Sequence, residues 1–473
     1  MSVRTNPALA AGRSMPTRRN TELVMLLFAV LVVMAAQAIV DGTVRGSVGL
    51  DVVYYGAGFA GLWLIAHLVV RRFARYADPL ILPAVALLNG LGLVLIARLD
   101  LAAELDAQSS GEPIPGGDAP LQLAWTLVGL VLFTAVLILI RDHRVLAKYG
   151  YTLGAGGLLL LALPAVLPSA LSEVNGAKIW IRVAGFSIQP GEFAKIAVLV
   201  FFAAYLVAKR DVLSLASRRV LGLELPRGRD LGPVLVVWLA SLGVLVFEKD
   251  LGSSLLLFGI FVVMLYIATE RVSWLAIGLL LFSAGGFVAY QLFSHVRVRV
   301  QVWLDPFAYR NEEGFQIVQS LLGLGTGGMF GTGLGSGRPD SLNIYAKTDF
   351  IVTTIGEELG LFGLVAVLML YLTLVERGFR AALLVRDTFG KLLAAGLAFS
   401  VALQVFVVVG GVTRLIPLTG LTTPFVSYGG SSLVANFALV ALLVRISDAA
   451  RRPAAPIGAP APLAEAKTEI VTR

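Results

Sequence analysis

The stretch Tyr345-Ala346-Lys347-Thr348-Asp349-Phe350-Ile351 runs directly into an apolar segment, 350–375, long enough to cross a bilayer. It sets one carboxylate at the edge of that segment. A charge there costs free energy unless it is hydrated, paired or used. The same stretch closes the longest segment between candidate spans, Ser294 to Asp349. Its reading decides the fold class: an all-α, polytopic membrane bundle with a functional edge.

Composition points the same way. The 473 residues are 57% hydrophobic and 14% charged, where a soluble domain carries about 25% charged residues. With no cysteine, disulfide frameworks and thiolate metal sites are excluded. His67, His143 and His295 are far apart in the chain, which argues against a histidine zinc site. Apolar runs predict twelve spans, near 21–40, 50–70, 79–97, 120–140, 149–168, 190–208, 230–247, 251–268, 273–292, 350–375, 390–412 and 424–444. The run at 21–40 is too long for a signal-peptide core, so it reads as a retained span.

The net charge of +8 follows orientation. Lys and Arg collect in the N-terminal arm and in alternate loops: Arg71, Arg72 and Arg75; Arg141, Arg144 and Lys148; the loop 209–229; Arg377, Arg380, Arg386 and Lys391; then Arg451 and Arg452. By the positive-inside rule both termini are cytoplasmic and 294–349 is external. Nucleic-acid binding is not indicated, because no recognisable nucleic-acid module accompanies the charge. The Pro/Ala-rich tail cannot bury a core and reads as disordered.

Four external segments hold the unusual chemistry. Asn175 to Lys195 includes Lys178, Trp180 and the helix start Gln189-Pro190, with Glu192 and Lys195 three apart on one face. An anchored interfacial loop with a local ion pair explains it equally simply. Glu248-Lys249-Asp250 breaks two spans, with Asp250 a natural N-cap for the second. Arg297 to Trp303 reads as a short amphipathic piece. From Gly323 to Gly337, eight of fifteen residues are glycine. No Gly-Lys-Ser/Thr follows, so this is no Walker loop; it predicts flexible re-entrant backbone that a partner selects between two arrangements. Last, Gly410 to Ser432 carries Arg414, two prolines and many hydroxyls. Arg414 is placed to meet an anion or to snorkel to the interface.

Together these segments resemble the SEDS family, the shape, elongation, division and sporulation proteins that include RodA, FtsW and SpoVE. The resemblance rests on Pro424-Phe425-Val426-Ser427-Tyr428-Gly429-Gly430-Ser431-Ser432; Asn175-Gly176-Ala177 with Trp180; Gln189-Pro190-Gly191-Glu192; Glu248 through Ser253; Leu304-Asp305-Pro306 with Gly314-Phe315-Gln316; Gly327-Gly328 with Gly331; and Thr348-Asp349-Phe350 with Gly356-Glu357-Glu358. It covers about Leu121 to Ala450. Gly191, Lys347 and Thr332 depart from the usual Ser, His and Lys, and the Leu-Pro-Glu usually found before Thr348-Asp349 is absent. Extra N-terminal spans resemble the actinobacterial RodA branch.

The resemblance implies a peptidoglycan glycosyltransferase that polymerises lipid II for elongation and shape, beside a class B penicillin-binding protein and other elongation-machinery membrane proteins. A lipid II flippase and an FtsW-type division enzyme are the alternatives. It implies a cytoplasmic arm at 1–20, additional spans and loops at 21–118, a transferase core at 119–450 and a tail at 451–473. Sugar transfer needs a base for the acceptor hydroxyl, which a carboxylate suits. It also needs positive charge for the departing diphosphate, from basic residues or a divalent cation, Mg2+ or Mn2+. Asp349 is the expected catalytic residue. Lys178, Trp180, Glu192, Lys195, Gln316, Lys347, Arg414 and Ser427 are the expected substrate-binding residues. No metal ligand is assigned.

Overall fold

Within hydrocarbon every backbone N–H and C=O must be bonded inside its own segment, so apolar runs fold as helices. The computed structural model describes residues 17–174, 177–183, 186–209, 218–220, 223–225 and 248–453, with Val236, Trp238 to Ala240, Leu242 and Gly243 between. Ten helices among the described residues are long and apolar enough to cross a membrane. We label the main helices in chain order: α1 (Arg19–Val44), α2 (Asp51–Phe73), α3 (Ile81–Ser110), α4 (Asp118–Leu139), α5 (Gly150–Val166), α6 (Pro190–Ala208), α7 (Leu251–Thr269), α8 (Ser273–Leu292), α9 (Ser294–Leu304), α10 (Phe315–Gly327), α11 (Ile351–Leu384), α12 (Thr388–Val412) and α13 (Gly430–Arg451).

Eleven expected spans correspond to α1 to α8 and α11 to α13. The shortest of these, α5, has 17 residues. The expected span over 230–247 and basic loop 209–229 fall largely outside the described residues, as do most of the N-terminal arm and the tail beyond Pro453. The largest boundary difference is α3. It continues to Ser110, about 45 Å in all at 1.5 Å per residue. It passes Arg98 and Asp100 without ending because both are paired by distant parts of the chain.

Lipid tails are as apolar as leucine, so helix association in a bilayer relies on close packing and buried polar bonds. Small residues provide the first. A Cβ on Gly90 would stand 2.2 Å from Val33, and one on Gly157 would stand 2.8 Å from Val198, so α3 abuts α1 and α5 abuts α6. Polar bonds provide the second. Asn89 donates to Thr126 at 3.2 Å, and Gln122 donates to the Ser427 carbonyl at 3.1 Å.

One end of the bundle gathers Arg19, Glu22, His67, Asp78, Arg445 and Arg451 in ion pairs and hydrogen bonds. The other end carries Asp100, Asp118 and the 345–350 turn. Two short antiparallel ladders follow α5 there: β1 (Glu173–Val174) with β2 (Ala177–Lys178), and β3 (Ile181–Val183) with β4 (Phe186–Ile188).

The glycine run differs from its expectation. Its first residues end helix α10, and the rest is bonded to α11. Thr332 and Gly333 donate to the Glu357 and Glu358 carbonyls at 2.9 and 3.0 Å, and Leu361 donates to the Gly328 carbonyl at 2.9 Å. α11 opens to receive it at Gly360, where φ is 67°. A Cβ on Gly331 would lie 2.2 Å from the Glu358 carbonyl oxygen. Gly327 and Gly331 therefore serve backbone-to-backbone packing against α11. Arg98 completes the junction, binding Glu358 at 2.6 Å.

Candidate functional site

The turn that carries Asp349 is held from three directions. Phe350 N–H donates to the Tyr345 carbonyl at 3.0 Å, which closes the turn before α11. Ser427 Oγ donates to the Thr348 carbonyl at 2.6 Å, and Tyr428 N–H donates to the Lys347 carbonyl at 2.8 Å. Lys347 Nζ forms ion pairs with Asp118 at 2.8 Å and with Asp100. Burial alone would lower its pKa, and the two carboxylates overcome this and raise it. Lys347 and Ser427, expected to touch substrate, thus brace the turn. The reason is that the ammonium and the hydroxyl already have strong partners from distant parts of the chain.

Asp349 faces a different environment. Burial pushes its pKa up to about 6, against a lowering influence from Arg299. Arg299, on α9, donates to the Leu418 and Thr419 carbonyls at 3.0 Å each. It interacts electrostatically with both Asp250 and Asp349. Gly420, beside those carbonyls, has φ 77°, and a Cβ there would lie 3.7 Å from Asp349 Oδ2. A bare backbone therefore approaches the carboxylate.

Asp250 caps α7, accepting from Ser253 N–H at 2.9 Å. Burial raises its pKa, and the nearby Glu192 carboxylate adds to the rise. Glu248 is pushed up to about 8, first by burial and then by Asp250. Glu192 and Lys195 pair at 3.0 Å on α6. Lys195 also donates to Gln404 at 3.0 Å, and Gln404 donates to the Thr422 carbonyl at 2.8 Å. This chain of bonds ties α6 to α12 and to the 413–429 segment. Lys249, Arg414 and Phe425 have φ of 64°, 62° and 67°. Strain of this kind costs about 1–3 kcal/mol per residue and clusters at functional sites.

The other expected residues are spread around this centre. Lys178 sits opposite Glu173 in the first ladder, and the Trp180 N–H donates to the Ser172 carbonyl at 3.3 Å. No hydrogen bond among the described residues joins either to Asp349. Gln316 is half-buried near the start of α10. Arg414 donates to the Trp303 carbonyl at 2.7 Å and to the Leu304 carbonyl. It lines an open cleft of about 490 Å3 with Trp303, Leu304, Leu321 and Thr413. Trp303 lies one helical turn from Arg299, so the cleft adjoins the Asp349 centre. Sequence reasoning missed Arg299, Gln404 and Arg98 as site-building groups. A charge or amide inside an apolar run was the available signal for the last two. No group of three or more His, Cys, Asp or Glu side chains placed to hold a metal occurs among the described residues.

Comparison with known proteins gives three consistent results. The sequence profile of the FtsW, RodA and SpoVE family, described as "Cell cycle protein", matches residues 79–452, which takes in α3 as well as 119–450. A Mycobacterium tuberculosis protein named "Peptidoglycan glycosyltransferase RodA" is 56% identical over 453 residues, covering 96% of this chain and 95% of that one. A Mycobacterium leprae protein of the same name is 54% identical over 475 residues, the full length of both. Among solved structures, a chain described under "Structural coordination of polymerization and crosslinking by a peptidoglycan synthase complex" is 28% identical with a TM-score of 0.56, covering 75% of this chain and 96% of that one.

Proposed function

This chain belongs to the FtsW, RodA and SpoVE family, and from that premise we infer that it is a multi-pass membrane peptidoglycan glycosyltransferase of the RodA type that polymerises lipid II. One structural observation supports the chemistry most directly: Asp349 is half-buried and under the electrostatic influence of Arg299, with its pKa lifted to about 6. A general base works best with a pKa near the operating pH.

In the proposed reaction the acceptor sugar hydroxyl attacks the anomeric carbon of the lipid-linked donor. Its oxygen forms the new glycosidic bond, the bond to the diphosphate oxygen breaks, and the proton passes to Asp349. Arg299 keeps part of the Asp349 population ionised at neutral pH and offers positive charge where negative charge develops. The cleft at Trp303 and Arg414 admits the lipid-linked substrate from the membrane side. Lys178, Trp180 and Gln316 remain proposed substrate contacts, on the strength of the family resemblance. The described residues offer no cluster of three or more His, Cys, Asp or Glu side chains to hold a divalent cation.

Both termini lie in the cytoplasm and the Asp349 end faces outward. A class B penicillin-binding protein docks in the membrane beside the bundle and raises activity. Purified protein incubated with fluorescent lipid II tests the whole reading. Glycan polymer is the expected product, with more on adding the partner. Lipid transfer across vesicles without polymer overturns the assignment. The orientation is tested by Glu312→Cys, because Glu312 is exposed and the chain has no native cysteine. An impermeant thiol reagent should label it from outside intact cells.

A further inference from the structure

Four arginines converge at the end of the bundle opposite Asp349. Arg18 stands one residue before α1, Arg377 and Arg380 lie near the far end of α11, and Arg451 closes α13. Arg18, Arg377 and Arg380 are each close enough to repel Arg451. The arginines at and just after the end of α2 are occupied singly instead. Arg72 and Arg75 lie over the Phe73 and Tyr76 rings, and Arg71 donates to Asn20 at 3.3 Å.

The carboxylates in reach do not balance them. Buried Asp78 pairs with Arg451 and lies 3.8 Å from Arg377. Glu376 binds Arg377 at 2.8 Å and lies 4.0 Å from Arg380. Asp448 is already taken, by Arg452 at 2.6 Å and by the Tyr76 N–H at 2.9 Å. Four guanidiniums therefore share two carboxylates, and two positive charges are left over. Like charges brought together cost free energy unless an anion joins them. The α11 face leading to Arg380 is apolar. Met369, Leu372, Glu376 and Arg380 follow at spacings of three and four residues, so they share one side of the helix. Met369 and Leu372 are both exposed on it.

We infer that this cluster binds the headgroup of an anionic phospholipid. Arg18 and Arg380, the more exposed pair, engage the phosphate oxygens, a geometry that the planar guanidinium fork suits. Arg377 and Arg451, held by Asp78, add positive charge behind them. An acyl chain runs along Met369 and Leu372. A zwitterionic lipid fits less well, because its own ammonium adds to the positive surplus. The bound lipid ties α1, which precedes the residues matched by the family profile, to α11 and α13 within them.

The test uses the full-length protein in nanodiscs of equal phosphatidylglycerol and phosphatidylcholine, with retained lipid counted by native mass spectrometry. Wild type should retain the glycerol lipid over the choline lipid by about tenfold. Arg380→Gln and Arg18→Gln, both at exposed positions, should each lower that ratio to about twofold, since one basic side chain at an anionic membrane surface is worth about a factor of five. Arg75→Gln, an exposed arginine outside the cluster, should leave it unchanged. A wild-type ratio near one overturns the inference. So does an equal loss in Arg75→Gln, which would mean diffuse attraction to the basic face. A last arm separates a lipid from a free anion. The melting temperature should rise with the glycerol lipid and stay in place when inorganic phosphate is added to protein in choline lipid alone. An equal rise with inorganic phosphate overturns the lipid assignment.

Discussion

Asp349 precedes α11 by two residues and Asp387 caps α12, so both carboxylates stand at the head of a long apolar helix. Helix N-termini favour negative charge at either place. Around Asp387, His143 Nε2 lies 2.9 Å away, Gly390 N–H donates at 2.7 Å and Arg144 donates at 3.2 Å. Burial alone would raise its pKa, but these partners overcome burial and hold it well below the usual carboxylate range. Around Asp349 the balance reverses. Burial dominates, Arg299 opposes it only partly, and the pKa settles near 6. A carboxylate saturated with donors is a structural anion. One left half-buried with a single counter-charge can take up and release a proton near neutral pH.

The contrast breaks most visibly on rate. Asp349→Asn should reduce lipid II polymerisation by about 10²–10⁴, the usual contribution of a general base. Asp387→Asn should change it less than about twofold, since Asn is also a good N-cap. Equal losses in the two variants would erase the distinction.

The next effect is on pH dependence. A base with a pKa near 6 is active above that value, so the rate should rise through about pH 6 and level off. Arg299 lowers the Asp349 pKa, so Arg299→Ala should move the rising limb to higher pH, and Arg299→Lys should move it less. A limb that stays in place in both variants would remove Arg299 from the proton chemistry. Profiles of initial polymerisation rate between pH 5 and 9 would decide this.

The smallest effect concerns stability. The folded-state pKa of Asp387 is depressed, so its stabilisation is present above the ordinary value near 3.8 and is lost as pH falls below it. Asp387→Ala should cost about 0.5–2 kcal/mol at pH 7, as for other lost N-caps. That difference should shrink below about pH 4. Melting of the detergent-solubilised protein at several pH values measures it.

Much of the architecture was legible in the chain itself. Apolar run length predicted eleven of the spans that the helices now define, because a bilayer core imposes one length and one backbone solution on every crossing segment. The edge position of Asp349, the Asp250 cap and the Glu192–Lys195 pair were also legible, because each is a local relation within three residues. Long-range polar partners were not. Arg299 read as part of an interfacial helix, and its meaning depends on carbonyls about 120 residues away. Lys347 read as a substrate-binding residue and Arg414 as a cation placed to meet an anion, yet Asp100, Asp118 and two backbone carbonyls already engage them. The glycine run read as flexible, although Gly327 and Gly331 lie against the α11 backbone between Gly356 and Gly360. Hydropathy and local spacing are written in consecutive residues, so the class of molecule, its spans and the carboxylate to suspect could be read from the chain. Which charges are free to act emerges with folding, because burial and pairing are set by residues that the chain brings together from hundreds of positions apart.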